Sequence, residues 1–202
     1  HERPSIPATI YDVFAGIRKA GSLVQRNKIE MVHARSHIPA TIALALKKRF
    51  GTKLIFDLRG LMAEEYVDAE HWRKDSLPYR ITKAAERRVF AETDAVVTLT
   101  ERIWPIINEW DGLKNREVEH AVVPCCVDLA SFRFEDEMRA KLRAELGLGE
   151  RLTLVYSGSL DGWYLTEGMA DFFAAIVRRQ ADAHLLWLTV GSRERVQQLM
   201  NA

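Results

Sequence analysis

Cysteine is scarce in this 202-residue chain, and its two cysteines, Cys125 and Cys126, are neighbours. Adjacent cysteines provide neither a disulfide framework nor the ligand spacing of a zinc site. The sequence also lacks any apolar run close to the roughly 20 residues that a membrane-spanning helix needs. We therefore expect a cytoplasmic protein whose association with membranes, if there is any, is only peripheral.

An excess of charge of one sign is missing as well. Lys and Arg together number 29 and Asp and Glu number 28, so the net charge is +1. A nearly neutral chain attracts nucleic acid or an anionic membrane surface only weakly at long range, so no nucleic-acid partner is expected. The first residues contain neither Met nor a basic segment followed by an apolar one. We expect no signal peptide, and we expect the chain to be a piece of a longer protein.

The short motifs of several common enzyme classes are absent too. The sequence contains no Gly-x-Gly-x-x-Gly, no phosphate-binding P-loop, no Gly-x-Ser-x-Gly and no His-Glu-x-x-His. Hydrophobic residues make up 48% and charged residues 28%, which are the proportions of a folded globular protein rather than a disordered one. The function must therefore be inferred from how polar residues are placed between the structural elements.

Short apolar runs alternate with helical patterns along the whole chain. The expected strands are residues 29–32, 54–56, 95–99, 118–123, 152–156 and 185–190. The expected helices are residues 5–25, 38–50, a segment opened by Pro78, and residues 103–110, 138–146, 169–177 and 193–200. Apolar strands that alternate with helices predict an α/β fold of parallel sheets with helices on both faces.

The chain is expected to contain two Rossmann-like domains. A break in the pattern between Pro124 and Glu135 places residues 1–128 in the first domain and residues 129–202 in the second. The second region supplies two strands, and a unit that short is marginal alone, so we expect this domain to be truncated. The first domain is compatible with missing opening strands, because its first helix has no strand before it.

The most informative polar segment is Asp57-Leu58-Arg59-Gly60, which directly follows the second strand. Ligands of open parallel sheets bind beyond the carboxyl ends of the strands. Asp57 and Arg59 lie two residues apart, so they can point the same way and orient a polar or phosphorylated ligand. Glu64 and Glu65, a little further on, can accept hydrogen bonds from hydroxyl groups. The alternative is a structural Asp–Arg pair that holds the polar stretch 60–76 in place.

A second polar segment follows the first strand, where His33, Arg35 and His37 alternate and would share one side of an extended chain. We expect a ligand-facing role for this segment. Metal binding is disfavoured because no Cys or carboxylate stands nearby in sequence, so no metal site is predicted. The alternative is that Ser36 or His37 caps the following helix.

A third segment, Ser157-Gly158-Ser159, follows the first strand of the second region and precedes a helical pattern. Small residues allow backbone N–H groups to approach a phosphate, so Gly158 and Ser159 are candidate phosphate-binding residues. The alternative is an ordinary tight turn. The adjacent Cys125 and Cys126 are interpreted as small packing residues.

The order of these segments resembles a known family. Three segments come first, Val32–His37, Leu54–Gly60 and Ala95–Thr100. The sequence Val123-Pro124-Cys125-Cys126-Val127-Asp128, with Phe132 after it, then resembles an interdomain crossover that usually reads Ile-Pro-Asn-Gly-Val-Asp followed by Phe. The family is that of the group-1 (family 4) retaining glycosyltransferases of the GT-B fold, and the similarity extends over residues 29–176.

The resemblance implies two facing Rossmann-like domains, with a nucleotide-sugar donor on the second and a saccharide, lipid or other hydroxyl acceptor on the first. The nucleotide-diphosphate sugar is a substrate, so no cofactor is implied. Combined with the polar segments described above, this makes Asp57 and Arg59 the candidate catalytic residues, with His33, Arg35, Gly60, Glu64 and Glu65 on the acceptor side and Gly158 and Ser159 at the donor phosphates. Transfer would proceed with retention, although this piece alone is expected to be inactive.

Two features depart from the family pattern. Asp57 stands about where the family often has His, and Gly158-Ser159 stands where it commonly has Gly-Arg. The alternatives are therefore a non-catalytic α/β binding or scaffold module of the same fold, and a sugar epimerase or phosphorylase of the same architecture.

Overall fold

The structure is a computed structural model that describes residues 6–162 and 164–201. The chain divides into two units, His1–Cys126 and Val127–Ala202, two residues before the predicted boundary. Each unit contains a parallel sheet with helices between its strands, which confirms the predicted α/β class. Within the described residues, none of the helices has the length and apolar character needed to cross a membrane.

The N-terminal unit is built on four parallel strands that lie side by side in chain order. The strands are β1 (Met31–Arg35), β2 (Lys53–Leu58), β3 (Ala95–Thr98) and β4 (Glu119–Val122). The helices are α1 (Ile6–Asn27), α2 (His37–Phe50), α3 (Met62–Asp68), α4 (Leu77–Glu92) and α5 (Trp104–Ile107). The sequence pattern predicts all of these except α3, although the start of the first predicted helix, Ser5, lies outside the described residues.

The core of this unit lies between the sheet and the helices α2 and α4. Leu54, Phe56 and Leu58 are all buried, because alternate residues of a strand point to the same face. The ring of Phe56 lies 5.3 Å from that of Phe90 on α4, between ring centroids. The short apolar strands therefore form a sheet whose buried face packs against the connecting helices, as the sequence pattern predicts.

The opposite face of the sheet is more open and more polar. Met31, His33 and Arg35 alternate with the buried Ala34, and all three are exposed. In the parallel register Arg35 is paired with Asp57, so the two side chains leave the sheet on the same face. This register places His33, Arg35 and Asp57 together on the open face, at the carboxyl ends of β1 and β2.

The residue before helix α2 has an unusual backbone conformation. Ser36 immediately precedes the helix, and its φ of 73° and ψ of 173° lie in a region that glycine adopts readily and other residues do not. Its N–H donates a hydrogen bond to the Asp57 carbonyl at 2.9 Å, while its side chain makes no capping hydrogen bond. The alternative that the Ser36 side chain caps the helix is therefore wrong, and the backbone here is strained.

Replacing Ser36 by glycine should relieve this strain. We expect the Ser36→Gly variant to gain about 1 kcal/mol in the free energy of unfolding, because the relief of ~1–3 kcal/mol exceeds the entropic cost of a glycine. Urea unfolding of the variant and the wild type measures the difference. A loss of stability would contradict the strained geometry.

The C-terminal unit pairs two parallel strands, β5 (Thr153–Ser157) and β6 (His184–Leu188). Its helices are α6 (Asp136–Glu145), α7 (Thr166–Val177) and α8 (Arg193–Asn201). Strand β6 ends earlier than the predicted strand 185–190 and is only half-buried. Phe173 and Leu199 are among the few large side chains of this unit that are buried. Two strands alone leave much of the sheet accessible.

Candidate functional site

The centre of the candidate site is a histidine held by a buried carboxylate. His33 Nε2 lies 3.3 Å from Asp57 Oδ2, and the side chains are 58% and 10% exposed. The second carboxylate oxygen, Asp57 Oδ1, is buried and has no hydrogen-bond partner among the described residues. Arg59 Nη1 lies 4.0 Å from it, which is beyond hydrogen-bond distance. The structure thus brings together three predicted residues, His33, Asp57 and Arg59.

Arg59 also reaches the end of the last strand of the sheet. Its Nη2 donates a hydrogen bond to Cys125 Sγ at 3.2 Å. Both Cys125 and Cys126 are exposed. Interpreting them as small packing residues is therefore wrong, because the chain after β4 runs along the surface rather than into the core. Cys125 belongs to the surroundings of the candidate site, which its position in sequence did not reveal.

The other two residues of the predicted His33–Arg35–His37 group behave differently. Arg35 is exposed and stays on the face of His33, as its place in the strand predicts. His37 is buried at the start of α2, where its Nε2 lies 3.0 Å from Glu86 Oε2. The prediction that all three side chains share one side is wrong for His37, because the extended chain ends at Arg35 and the helix turns His37 inward.

The acidic pair after Gly60 lies at the start of helix α3. A Cβ atom at Gly60 would overlap the carboxylate of Glu65, so glycine is what allows that carboxylate to lie over the backbone. Glu64 Oε1 lies 3.0 Å from Lys83 Nζ and accepts a 3.5 Å hydrogen bond from Tyr79. Both glutamates therefore lie on helix α3, shortly after the strand end. Glu64 already contacts Lys83 and Tyr79 of α4.

Glu64 belongs to a buried polar network that sequence reasoning missed. Lys83 Nζ contacts both Glu64 and Glu86, and it lies 3.9 Å from the centroid of the Trp110 ring. Glu86 is 1% exposed and joins this group to His37. Burial acts to lower the pKa of Lys83, but its hydrogen bonds to the two carboxylates outweigh this and leave the pKa raised. The ammonium group is therefore charged at neutral pH.

A further histidine is partly buried on the last strand of the sheet. His120 on β4 stacks on Trp104, with the ring centroids 3.9 Å apart, and its Nε2 lies 2.9 Å from Thr98 Oγ1. Burial lowers the pKa of His120. This histidine is neutral at pH 7 and serves to pack β4 against α5.

The predicted phosphate-binding segment of the C-terminal unit is arranged unlike a phosphate loop. The N–H of Gly158 donates to the Leu188 carbonyl at 3.1 Å, so it extends the pairing of β5 with β6. Tyr156 donates its hydroxyl proton to the Ser159 carbonyl. Helix α7 begins only at Thr166, so its N-terminus is not at Gly158 and Ser159. The predicted helix after this segment is present, but a loop separates it from Gly158 and Ser159.

That loop is held in place by Arg195, which lies on helix α8. Arg195 makes two hydrogen bonds to Asp161, at 2.6 Å from Nη2 and 2.9 Å from Nε, and a third to Glu167 at 2.5 Å. Thr166 donates to Asp161 Oδ1 at 2.7 Å. The Arg195 guanidinium and the Thr166 hydroxyl together lower the pKa of Asp161 to about 2. This cation stands near the predicted phosphate site but is occupied by two carboxylates.

The ion pair between Asp161 and Arg195 predicts that the Asp161 carboxyl titrates at a lower pH than an ordinary aspartate. A lowered carboxylate pKa stabilises the fold above the unfolded value of 3.8, and this stabilisation is lost as the pH falls towards about 2. We therefore expect Asp161 to stay ionised between pH 5 and 3 in the wild-type chain, and to titrate near its ordinary value in Arg195→Gln. Carboxyl ¹³C shifts measure this, and a wild-type midpoint near 3.8 would contradict the ion pair.

Among the described residues no group of three His, Cys, Asp or Glu side chains could hold a metal ion. The polar side chains at the carboxyl ends of the first two strands are an imidazole, a carboxylate and a guanidinium, those of His33, Asp57 and Arg59. A parallel α/β sheet with such residues at its carboxyl ends is the arrangement of an open-sheet ligand-binding domain.

The family of this domain is established by comparison. The profile of Glycosyltransferase Family 4 matches residues 1–131, which is more than half of the chain. The chain therefore belongs to Glycosyltransferase Family 4, as its sequence segments suggested. A search of curated protein sequences found no match.

Solved structures agree on the fold. Anabaena HepE in complex with UDP and glucose has a TM-score of 0.62 and 13% identity, covering 94% of this chain and 46% of its own. Sucrose-phosphate synthase from Thermosynechococcus elongatus has a TM-score of 0.64 and 13% identity, covering 92% and 45%. MnaA of S. aureus, with UDP, has a TM-score of 0.59 and 10% identity, covering 95% and 49%. The fold is thus that of the GT-B glycosyltransferases, and the chain spans about half the length of these structures.

Proposed function

We propose that this chain carries the acceptor side of a glycosyltransferase that moves a sugar, with retention, from a nucleotide-sugar donor to an acceptor hydroxyl. Membership of Glycosyltransferase Family 4 supports glycosyl transfer in general. The observation that carries the particular proposal is the pair of His33 Nε2 and Asp57 Oδ2, 3.3 Å apart with Arg59 beside it. This is a base held by a buried carboxylate at the ligand-binding edge of a parallel sheet.

The chemistry assigns one role to each residue. Asp57 accepts the Nε2 proton of His33, so Nδ1 keeps its lone pair and His33 can take a proton from the acceptor hydroxyl. The acceptor oxygen then bonds to the anomeric carbon on the same face that the diphosphate leaves, as the bond from that carbon to the diphosphate oxygen breaks with its electron pair, so the configuration is retained. Asp57 is thus a positioning residue, whereas His33 touches the acceptor.

Arg59 supplies the positive charge at this edge. A planar guanidinium recognises anionic oxygen, and charge develops on the leaving diphosphate as the anomeric bond breaks. The absence of a side chain at Gly60 leaves room for the carboxylate of Glu65. This carboxylate can accept a hydrogen bond from a hydroxyl group of the acceptor. Arg35, exposed on the same face as His33, is available to an acceptor substituent.

The direct test uses the full-length protein and a panel of nucleotide-sugars. Nucleotide release is followed with and without hydroxyl acceptors, and the anomeric configuration of the product is read by proton NMR. The proposal predicts release with at least one donor and a product with the donor's configuration. It is overturned if no donor is turned over, or if only the donor sugar is altered without transfer.

A specific observation favours a second candidate, a non-catalytic binding module of the same fold. In the C-terminal unit the Gly158 N–H is bonded to Leu188, and Arg195 is neutralised by Asp161 and Glu167. Both groups would have to be released before they could bind a diphosphate. Calorimetric titration of the full-length protein with UDP and GDP separates the candidates, because a donor-binding enzyme gives saturable binding and a module without a donor site gives none.

A further inference from the structure

An open groove of about 860 Å³ lies beside helix α4 in the N-terminal unit. Its volume falls within the range of small-molecule binding sites. Leu77 and Ile81 form apolar walls and are 64% and 50% exposed. Tyr79 and Trp110 add two aromatic rings with polar edges. His33, Asp57 and Arg59 do not line this groove, whereas Glu64, one of the predicted acceptor-side residues, does.

The floor of the groove is held rigidly. Lys83 Nζ is fixed between Glu64 Oε1, at 3.0 Å, and the nearly fully buried Glu86, and it lies 3.9 Å from the Trp110 ring centroid. His37 supports Glu86 from below at 3.0 Å. Since each of these side chains is held by at least two contacts, little ordering is needed when a ligand arrives.

The charges that line the groove cancel. Three carboxylates and three cations contribute, namely Glu64, Glu86, Asp111, Arg80, Lys83 and Arg87. Most are already paired within the groove, because Lys83 contacts two of the carboxylates and Arg87 lies 3.8 Å from Asp111. A phosphate, an acidic peptide or a polyamine therefore gains little net attraction here. The electrostatics favour an uncharged ligand.

Hydrogen-bonding capacity remains beside the apolar walls. Glu64 lines the groove with a side chain that is 32% exposed, and a carboxylate accepts hydrogen bonds from hydroxyl groups. The Tyr79 hydroxyl lies beside it, 3.5 Å from Glu64 Oε1. An uncharged ligand with hydroxyl groups on one side and C–H groups on the other matches this surface.

We propose that the groove binds a short, uncharged saccharide segment of the acceptor, at a distance from the hydroxyl that reacts. This assignment rests on the proposed glycosyltransferase function. Glu64 lies five residues after Arg59, so their Cα atoms are at most about 18 Å apart by any path of the chain. A short oligosaccharide can extend over such a span, from Arg59 to the groove at Glu64.

The experiment uses the full-length protein and three variants, two of which are a matched pair. Ile81→Arg places a long charged side chain in the groove, whereas Ile106→Arg makes the same change at a residue outside the groove that is similarly exposed, at 54%. Tyr79→Phe removes one hydroxyl and keeps the ring. Calorimetry measures binding of neutral di- and trisaccharides of glucose, galactose and mannose, of the same panel carrying a uronic acid, and of phosphatidylcholine vesicles.

We expect at least one neutral saccharide to bind, with its Kd raised about tenfold or more in Ile81→Arg, raised less in Tyr79→Phe and unchanged in Ile106→Arg. Preferential binding of the uronic-acid panel or the vesicles, binding of none of the saccharides, or equal loss in both arginine variants would overturn the proposal. Donor hydrolysis without acceptor is followed in parallel. Its absence would count against the glycosyltransferase proposal, while the calorimetry still decides on the groove.

Discussion

Replacing Glu86 by alanine is expected to lower the free energy of unfolding of the N-terminal unit by about 3–5 kcal/mol. The carboxylate is 1% exposed and pairs with Lys83 on one side and with His37 on the other. Its removal leaves the Lys83 ammonium with one carboxylate instead of two and deprives buried His37 of its partner. Thermal unfolding of the chain should show the loss as a fall of roughly 10 °C in melting temperature.

The same helix offers a matched control. Glu92 is 37% exposed and pairs at the surface with Lys48, at 3.3 Å, and with Arg88, at 3.8 Å. Exposed ion pairs contribute at most about 1 kcal/mol, so Glu92→Ala should change the stability little. If both variants lost the same stability, the buried network would not be what holds α4 to α2.

Replacing Asp57 by asparagine is expected to reduce sugar transfer by the full-length protein about 100-fold or more, with the melting temperature changed by only a few degrees. Asparagine has the same size but does not stabilise the protonated imidazole of His33. Stability should change little because Asp57 Oδ1 has no hydrogen-bond partner among the described residues and His33 is largely exposed. The measurement is the rate of nucleotide release with acceptor, paired with a melting curve.

A comparable change elsewhere on the unit serves as its control. Asp75 is an exposed carboxylate in the segment before α4, and Asp75→Asn should leave both the transfer rate and the melting temperature unchanged. A large loss of stability in Asp57→Asn, with transfer reduced only in proportion to the folded fraction, would favour the structural Asp–Arg pair instead.

The sheet was predictable from sequence because its strands are short, apolar and regularly spaced. The run Leu54-Ile55-Phe56 is entirely apolar, which predicts a buried strand. Because such runs alternate with helical patterns along the chain, parallel pairing is predicted. The regions between strands were harder. The segment after Gly60 looks like a polar loop, yet it contains α3, whose exposed side consists of charged residues that carry no apolar signal.

Helix α4 shows why the buried network could not be found from apolar periodicity. The pattern Ile81, Ala85 and Val89 indicates one face, but Ile81 is 50% exposed and Glu86 is buried instead. A charged residue in a core position is a rare event that depends on partners from other elements, here His37 and Lys83. The available signal was the placement of Lys83, Glu86 and Phe90 at helical spacing on one face.

The sequence predicted the grouping of His33, Asp57 and Arg59 but not the residues around them. The positions of Asp57 and Arg59 at a strand end, and of His33 on the neighbouring strand, followed from the topology of parallel sheets. The contact of Arg59 with Cys125 joins residues 66 positions apart, and no local pattern encodes it. The hydrogen bond between the Gly158 N–H and the Leu188 carbonyl was not predicted, because a small-residue segment is compatible both with a phosphate loop and with one more hydrogen bond of a parallel sheet.

The most direct test of the account is a double-mutant cycle on His33 and Asp57 in the full-length protein. Residues that act as one unit show non-additive losses, so His33→Asn, Asp57→Asn and the double variant should all lose about the same factor in transfer rate, about 100-fold or more. If the two single losses instead multiply in the double variant, the two residues act independently. The proposal that Asp57 positions His33 as the base would then be wrong.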